Sequence, residues 1–420
     1  PDDVELRAAR LKAAAPLGNT LRSPLHVAGK GHCTRALLPT AALSRRPTLT
    51  LVRRPAVTRS TGVGEPAALT DSDACPPFGS ASSGTSAASP SATRTIGLQA
   101  SVDAGADAAD DGMALMPVRY IKDSQTAYPT GDPNFAVKQS FPSVVGERES
   151  DPFLMCDEFG PTVSRRAYGN DTDAGFDVPW HPHHGMDILS YIVEGCGRHA
   201  DSLGNREVYA SPGFQWMSVG SGVEHAEGGG TPAGERTHGF QIWLKMPRAK
   251  MGDAPRYGTV EPSAITTVDL DGAGSVARVI AGPFRDATGP ASFAVTVQIV
   301  DVDLRPGADF DYERPSHMDN AMFYCFKGAG TLNGEPFKAQ QICRFDTSGG
   351  STKAAVSAGA AGLRMMVFTG KMTKEDVVWH GPFVCADRAQ LRECFKNQQL
   401  GRFPPVRVPY NYKDVTQVPK

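Results

Sequence analysis

Two pairs of residues, His181-Pro-His183 and His225-Ala-Glu227, limit what this chain can fold into more than any other feature. Side chains at i and i+2 share one face on a β-strand, whereas on a helix they point about 200° apart. Two such pairs can serve one point only if they sit on neighbouring strands with facing side chains. Pro182 lacks an amide donor, which suits the start or edge of a strand. Between the pairs, Ser211-Pro-Gly-Phe-Gln-Trp-Met-Ser reads as a turn entering another strand.

The rest of the chain agrees with an all-β reading. Gly and Pro are plentiful, at 44 and 33 residues, and short aromatic and β-branched runs recur between them. Val118–Ile121, Ala136–Gln139, Ile188–Val193, Glu207–Tyr209, Phe214–Val219 and Gly239–Lys245 form a first series of predicted strands. Ala277–Ile280, Ala294–Leu304, Ala321–Phe326, Gly330–Leu332, Gln341–Phe345 and Leu363–Thr369 form a second. The spacing fits a sandwich or barrel. Phe323-Tyr-Cys-Phe-Lys-Gly-Ala-Gly repeats the character of Ser190-Tyr-Ile-Val-Glu-Gly-Cys-Gly, which points to two barrels built on a repeat of about 100–130 residues. Residues 386–396 read as a short amphipathic helix, and residues 404–420 as an extended tail.

Net charge is −2, so no strong overall field draws the chain to nucleic acid or membrane. No apolar run reaches the roughly 18–20 residues of a membrane-spanning helix. Direct sequence-specific nucleic-acid binding and membrane insertion are therefore not expected. The eight cysteines show no CxxC spacing and are expected to be reduced, buried and small. Cys325 and Cys343 are candidates to face each other across neighbouring strands.

The first 112 residues differ in character. From Leu6 to Gly64 there is no Asp or Glu, while arginines, Ser, Thr, Ala and Leu abound. That composition is typical of an organelle transit peptide, for plastid or mitochondrion. An untargeted disordered tail, or an upstream frame translated in error, is the other reading, with cytoplasm or nucleus as the location. The chain opens on Pro1 rather than Met, so residues are expected to precede it. Residues 65–112 are rich in Ser, Gly and Ala and are expected to be disordered.

Three imidazoles and one carboxylate suit a first-row divalent metal: Fe(II) foremost, then Mn, Co, Ni, Cu or Zn. A ligating imidazole usually has its other nitrogen held by a partner, and Asp187 and Gln215 are the candidates for that role. His184 follows a ligand directly and is expected to face away from the metal. His199, His238, His317 and His380 stand alone and read as structural. Trp180, Phe214, Trp216 and Met217 read as core more readily than as pocket.

Gly175-x5-His181-x-His183 resembles the first motif of the cupin superfamily. Four further stretches sharpen the match: Asp151-Pro-Phe-Leu-Met-Cys-Asp-Glu-Phe, Gln215-Trp-Met-Ser-Val-Gly-Ser-Gly-Val-Glu-His-Ala-Glu227, His238-Gly-Phe-Gln-Ile-Trp-Leu and His380-Gly-Pro-Phe-Val. Together they resemble the pirin family over about residues 117–400. The resemblance implies a bicupin: two jelly-roll-type β-barrels packed together, with a metal, usually iron, in the first. The expected division is residues 113–250 for the metal-binding barrel and 251–403 for a second, metal-free barrel. The implied ligands are His181, His183, His225 and Glu227. The chain departs from the family pattern at His184, where Arg is common, and at Asp187, where Glu is common.

Two functions follow from the resemblance. One is an Fe(II)-dependent dioxygenase of quercetin 2,3-dioxygenase type, in which a flavonol-like enediol binds the metal and Glu227 takes its proton. The other is a non-enzymatic, redox-sensing iron protein that acts on transcription or another process through a protein partner. A blander third reading leaves the metal only a stabilising role in the barrel.

Overall fold

The computed structural model describes residues 114–131, 135–165 and 176–414. The arginine-rich segment read as a presequence, with His26, His32, Cys33 and Cys75, lies outside the described residues.

The first half contains β1 (Val118–Asp123), β2 (Gln125–Ala127), β3 (Val137–Phe141), the one-turn helix α1 (Glu147–Ser150) and β4 (Phe153–Val163). It continues with β5 (Val178–His183), β6 (Met186–Glu194), β7 (Cys196–Asp201), β8 (Arg206–Ala210), β9 (Phe214–Ser218), β10 (Val223–Glu227), β11 (Arg236–Lys245) and β12 (Arg256–Val260). The second half contains β13 (Thr266–Asp269), β14 (Val276–Phe284), β15 (Ala287–Pro290), β16 (Val297–Leu304), β17 (Asp309–Glu313) and β18 (Asn320–Leu332). After these come β19 (Glu335–Lys338), β20 (Gln341–Phe345), β21 (Lys353–Gly370), the hairpin β22 (Val378–His380) and β23 (Phe383–Cys385), and the helix α2 (Arg388–Gln399). The all-β reading with one short C-terminal helix is correct.

The first barrel closes a seven-stranded sheet, ordered β12-β9-β6-β11-β4-β3-β2, over a four-stranded sheet, β5-β10-β7-β8. The second is built from a ten-stranded sheet whose main path is β1-β20-β18-β21-β16-β14-β13. Period-two alternation explains how the large sheets are used. On β6, Leu189, Tyr191 and Val193 join one hydrophobic cluster while Ile188 joins another. On β16, Ile299 belongs to the shared cluster while Val300 and Val302 belong to the interior of the second barrel. Phe141, Phe153, Phe240 and Ile242 of the first barrel thus share one core with Ile280, Ile299, Met322 and Phe368 of the second. The central strands are buried on both faces, so they read as continuous apolar runs. Within this interface Glu158 accepts from Tyr324 Oη at 2.6 Å and lies 2.8 Å from His238 Nε2.

The two ends of the chain cross over. β1 pairs antiparallel with β20 of the second sheet, not with the first barrel. The segment after β21 returns to the first barrel, where Val384 N donates to His184 O at 3.0 Å and Trp379 packs on Trp243. The barrels therefore interleave across the expected boundary near residue 250. Further on, Tyr412 Oη donates to Glu224 and its ring meets Trp180 at 5.5 Å. The helix runs two to three residues later than 386–396, because Asp387 caps it by accepting from Ala389 N and Gln390 N.

Gly185 makes the close return possible. Its φ is +70°, and a Cβ there would lie 2.1 Å from Val384 O. Gly185→Ala is expected to lose at least about 2 kcal/mol, from left-handed strain plus the clash. Urea unfolding would read this; an unchanged midpoint would mean that the hairpin can stand off from β6 at no cost.

Cys156, Cys325, Cys343, Cys385 and Cys394 are buried free thiols. Cys325 and Cys343 lie on adjacent strands but are not opposite, since Cys325 pairs with Gln341 and Cys343 with Phe323.

Candidate metal centre

β5 and β10 pair antiparallel with His225 directly across from His181, and His183 across from Val223. Because i and i+2 share a face, this register turns His181, His183 and His225 to one point inside the first barrel. The ring centroids stand 4.7 Å (His181–His183), 4.3 Å (His181–His225) and 4.9 Å (His183–His225) apart. One nitrogen from each ring falls within 4.8 Å of the others.

The backbone orients two of the rings. His181 Nδ1 lies 2.7 Å from Pro179 O, and His183 Nδ1 lies 3.3 Å from Pro382 O, on the returning hairpin. Backbone carbonyls, rather than Asp187 or Gln215, therefore hold the imidazoles. Asp187 instead accepts from Ala294 N at 2.5 Å, in the segment leading to the second barrel. Burial raises its carboxyl to about 6. Gln215 donates to Ser190 Oγ at 2.9 Å, and so reaches the site only through Ser190. The aromatic ring against His183 is Trp243, at 5.0 Å in an edge-on arrangement. Phe214 and Met217 are fully buried in core clusters, and Trp216 and Trp180 pack against others, as expected.

The residues fit a metal ion. His183 Nε2 is buried with no hydrogen-bond partner. His181 Nε2 and His225 Nε2 are only 2.9 Å apart. A buried ring nitrogen without a partner is costly unless something positive lies against it. Metal–nitrogen bonds of about 2.1 Å put two nitrogens about 3.0 Å apart at a right angle and about 3.4 Å apart at a tetrahedral angle. The 2.9 Å between His181 Nε2 and His225 Nε2 is close enough for both to bind one ion.

Glu227 is on the same face of β10, but the structure does not bring it into the three-histidine cluster. Its Oε1 accepts from Gln241 Nε2 at 2.7 Å and its Oε2 from Ser190 Oγ at 3.1 Å. Burial raises its carboxyl above the ordinary value, and the two donors partly offset this. Ser190 and Gln241 were missed by sequence reasoning, although strand alternation puts both on the interior face.

His199 was also missed. It pairs with Glu227 across β7 and β10, its ring lies 5.4 Å from His225 and it stacks on Tyr257. Its Nε2 is 3.1 Å from Asp201 Oδ2. The signal was present, since His199-Ala-Asp201 has the same i, i+2 spacing as the two pairs noticed. His184 faces away, as expected, with Nδ1 2.8 Å from Val384 O. His317 is exposed.

Burial keeps the three imidazoles neutral: His181 is lowered to about 4, and His183 and His225 fall well below the ordinary value, with the neighbouring rings adding to the effect. An unfolded histidine takes its proton near 6.5. The unfolded chain therefore binds more protons than the folded one as pH falls through that window. The metal-free protein is therefore expected to lose stability as pH falls from about 6.5 toward 4. In the metal-free protein the Hε1 resonances of these rings should stay flat from about pH 7.5 to 5. A titration centred near 6.5 would contradict the burial.

Comparison with known proteins places this chain in a family. Residues 134–244 match the Pirin family model, and residues 299–404 match that of the Pirin C-terminal cupin domain. A pirin-like protein of Caulobacter vibrioides is 33% identical over 297 residues, covering 69% of this chain and 100% of its own. A Vibrio cholerae protein, named provisionally as a quercetin 2,3-dioxygenase, is 31% identical over 291 residues, covering 68% of this chain and 98% of its own. The crystal structure of a quercetin 2,3-dioxygenase from Acinetobacter baumannii shares the fold, with TM-score 0.59 and 23% identity over 69% of this chain and 99% of that one. With both barrels matched in order, the chain belongs to the pirin family, whose two domains are both cupins.

Proposed function

We propose that the first barrel is the active site of an Fe(II)-dependent dioxygenase of quercetin 2,3-dioxygenase type, acting on flavonol-like enediols. The observation that carries this reading is the set of three neutral, convergent imidazoles. Three protein nitrogens on one side of an ion would keep positions free for substrate. The name of the Vibrio cholerae relative supports the same reaction class. Mn, Co, Ni, Cu and Zn are the alternatives to iron.

His181, His183 and His225 would hold the ion, and Glu227 would complete the set by leaving one of its two present partners. When bound, the ion would hold the substrate oxygens and O₂ together and supply the redox chemistry. Glu227 would take the enediol hydroxyl proton, because its buried, raised carboxyl is a better base than an exposed one. Ser190 Oγ and Gln241 Nε2 fix where that carboxylate points. Trp243 and the apolar cluster of Leu154, Ile188, Met217 and Val223 exclude water from the far side.

O₂ consumption by the iron-loaded chain with quercetin tests the proposal, with Glu227→Gln as the control. Iron-dependent turnover that drops in the variant is the expected result. No turnover from a chain with one tightly bound iron would sink the enzyme reading. The redox-sensing reading, with a protein partner, would then take its place.

A further inference from the structure

A second group of ligand-type side chains lies outside the histidine trio. A ring nitrogen of His184, Cys385 Sγ and Cys394 Sγ fall within 4.8 Å of one another, and all three residues are buried. They come from three places: the turn after β5, the end of β23 and the middle of α2. Asp387 caps α2 two residues after Cys385, which fixes where Cys394 lies.

The distances are informative. Cys385 Sγ is 3.9 Å from Cys394 Sγ and 3.7 Å from His184 Nδ1. A tetrahedral ion with metal–sulfur bonds of about 2.3 Å and metal–nitrogen bonds of about 2.05 Å puts sulfurs about 3.8 Å apart and sulfur about 3.6 Å from nitrogen. A disulfide would need the sulfurs at about 2.05 Å. A cavity of about 190 Å³, lined by His184, Ser221, Gln390, Cys394 and Phe403 among others, opens onto the cluster. It gives an ion a way in and leaves room for a fourth ligand.

We propose that His184, Cys385 and Cys394 form a second metal site, of Cys₂His type, for Zn(II), with its fourth position facing this cavity. Thiolates with one imidazole select a soft or borderline ion, unlike the imidazole site next to it. As the two zinc–sulfur bonds form, each thiol releases its proton to solvent. Where Nδ1 is the ligand, its bond to zinc replaces the hydrogen bond to Val384 O. The ion would tie β23 and α2 to the strand end that carries His183. Pro382 O, which holds His183 Nδ1, lies on the same hairpin. One residue step separates the sites, because His183 and His184 point to opposite sides of the chain.

The test is Co(II) titration of the full chain, reduced and metal-free, carrying His181→Ala and His225→Ala to disable the first site. The expected result is one equivalent of Co(II) with thiolate-to-cobalt charge-transfer absorption, displaced by Zn(II). The absorption should be lost in Cys385→Ser and Cys394→Ser, and reduced at least about tenfold in apparent affinity in His184→Gln. Far-UV circular dichroism confirms that each variant folds, and the three independent variants guard against failure of any one. Absence of the band in a folded chain with both thiols still reactive to a thiol reagent would overturn the proposal. So would a band that survives both serine variants, or a Cys385–Cys394 disulfide formed in preference to metal binding.

Discussion

His225→Ala is expected to leave a folded barrel that no longer retains iron. His225 is fully buried, stands opposite His181 and supplies one of three convergent nitrogens. Loss of an outer partner of a ligand costs about 10–100-fold in metal affinity, and loss of a ligand itself should exceed that. Folding should tolerate the change, because the surrounding clusters of Met186, Ile188, Met217 and Val223 do not depend on the imidazole. The variant also removes a buried ring nitrogen, His225 Nδ1, that has no partner, which partly offsets the cavity left by a fully buried ring. Elemental analysis after iron loading and dialysis, with thermal unfolding in parallel, reads both quantities. The wild type should hold near one iron in this site and the variant close to none. Retention of iron by a folded His225→Ala chain would mean that the ion sits elsewhere. Loss of folding together with iron would instead make the site a stabilising clamp.

Much of this was legible in the sequence because strand alternation carries the information. His181 and His183 are two apart, and so are His225 and Glu227, so their faces follow from the pattern alone. The register that sets His225 against His181 could not be read, since it depends on where two strands pair. Glu227 illustrates the limit: its face is right, but its carboxylate is engaged by Ser190 and Gln241, on strands of the opposing sheet. Asp187 shows the opposite failure. Its nearness in sequence to His183 suggested a role at the metal, yet alternation turns it toward Ala294. The hairpin at residues 378–385 was not predicted as strand, because its three-residue strands give too short a pattern. Its contacts to His183 and His184 span about 200 positions of chain, and no local signal encodes them. His184 stands beside Cys385 and Cys394 only in the folded chain, about 200 positions apart in sequence.

The largest stability effect is expected from Asp301→Ala, at the junction of the barrels. Asp301 is fully buried on β16. It accepts from Arg364 Nε at 2.9 Å and Nη2 at 2.6 Å, and from Tyr191 Oη of the first barrel at 2.6 Å. Arg278 approaches to 3.3 Å. Burial pushes the carboxyl up, but the two guanidinium groups outweigh it and hold it below the ordinary value. A depressed carboxyl stabilises the fold above its unfolded pKa and loses that contribution as pH falls through the folded value. At neutral pH the contribution is therefore complete. Removing Asp301 leaves Arg364 with only the more distant and more exposed Asp303 as countercharge, and leaves the buried Tyr191 hydroxyl without its acceptor. Breaking a buried pair on one side costs about 3–5 kcal/mol, whereas Tyr191→Phe removes one hydrogen bond and should cost about 1 kcal/mol. Urea unfolding of both single variants and the double variant separates the terms. In the double variant the Tyr191 term should vanish, because the acceptor is already gone. If Asp301→Ala costs no more than Tyr191→Phe, the ion pair adds nothing beyond its hydrogen bond to Tyr191. The union of the barrels would then rest on the shared apolar core alone.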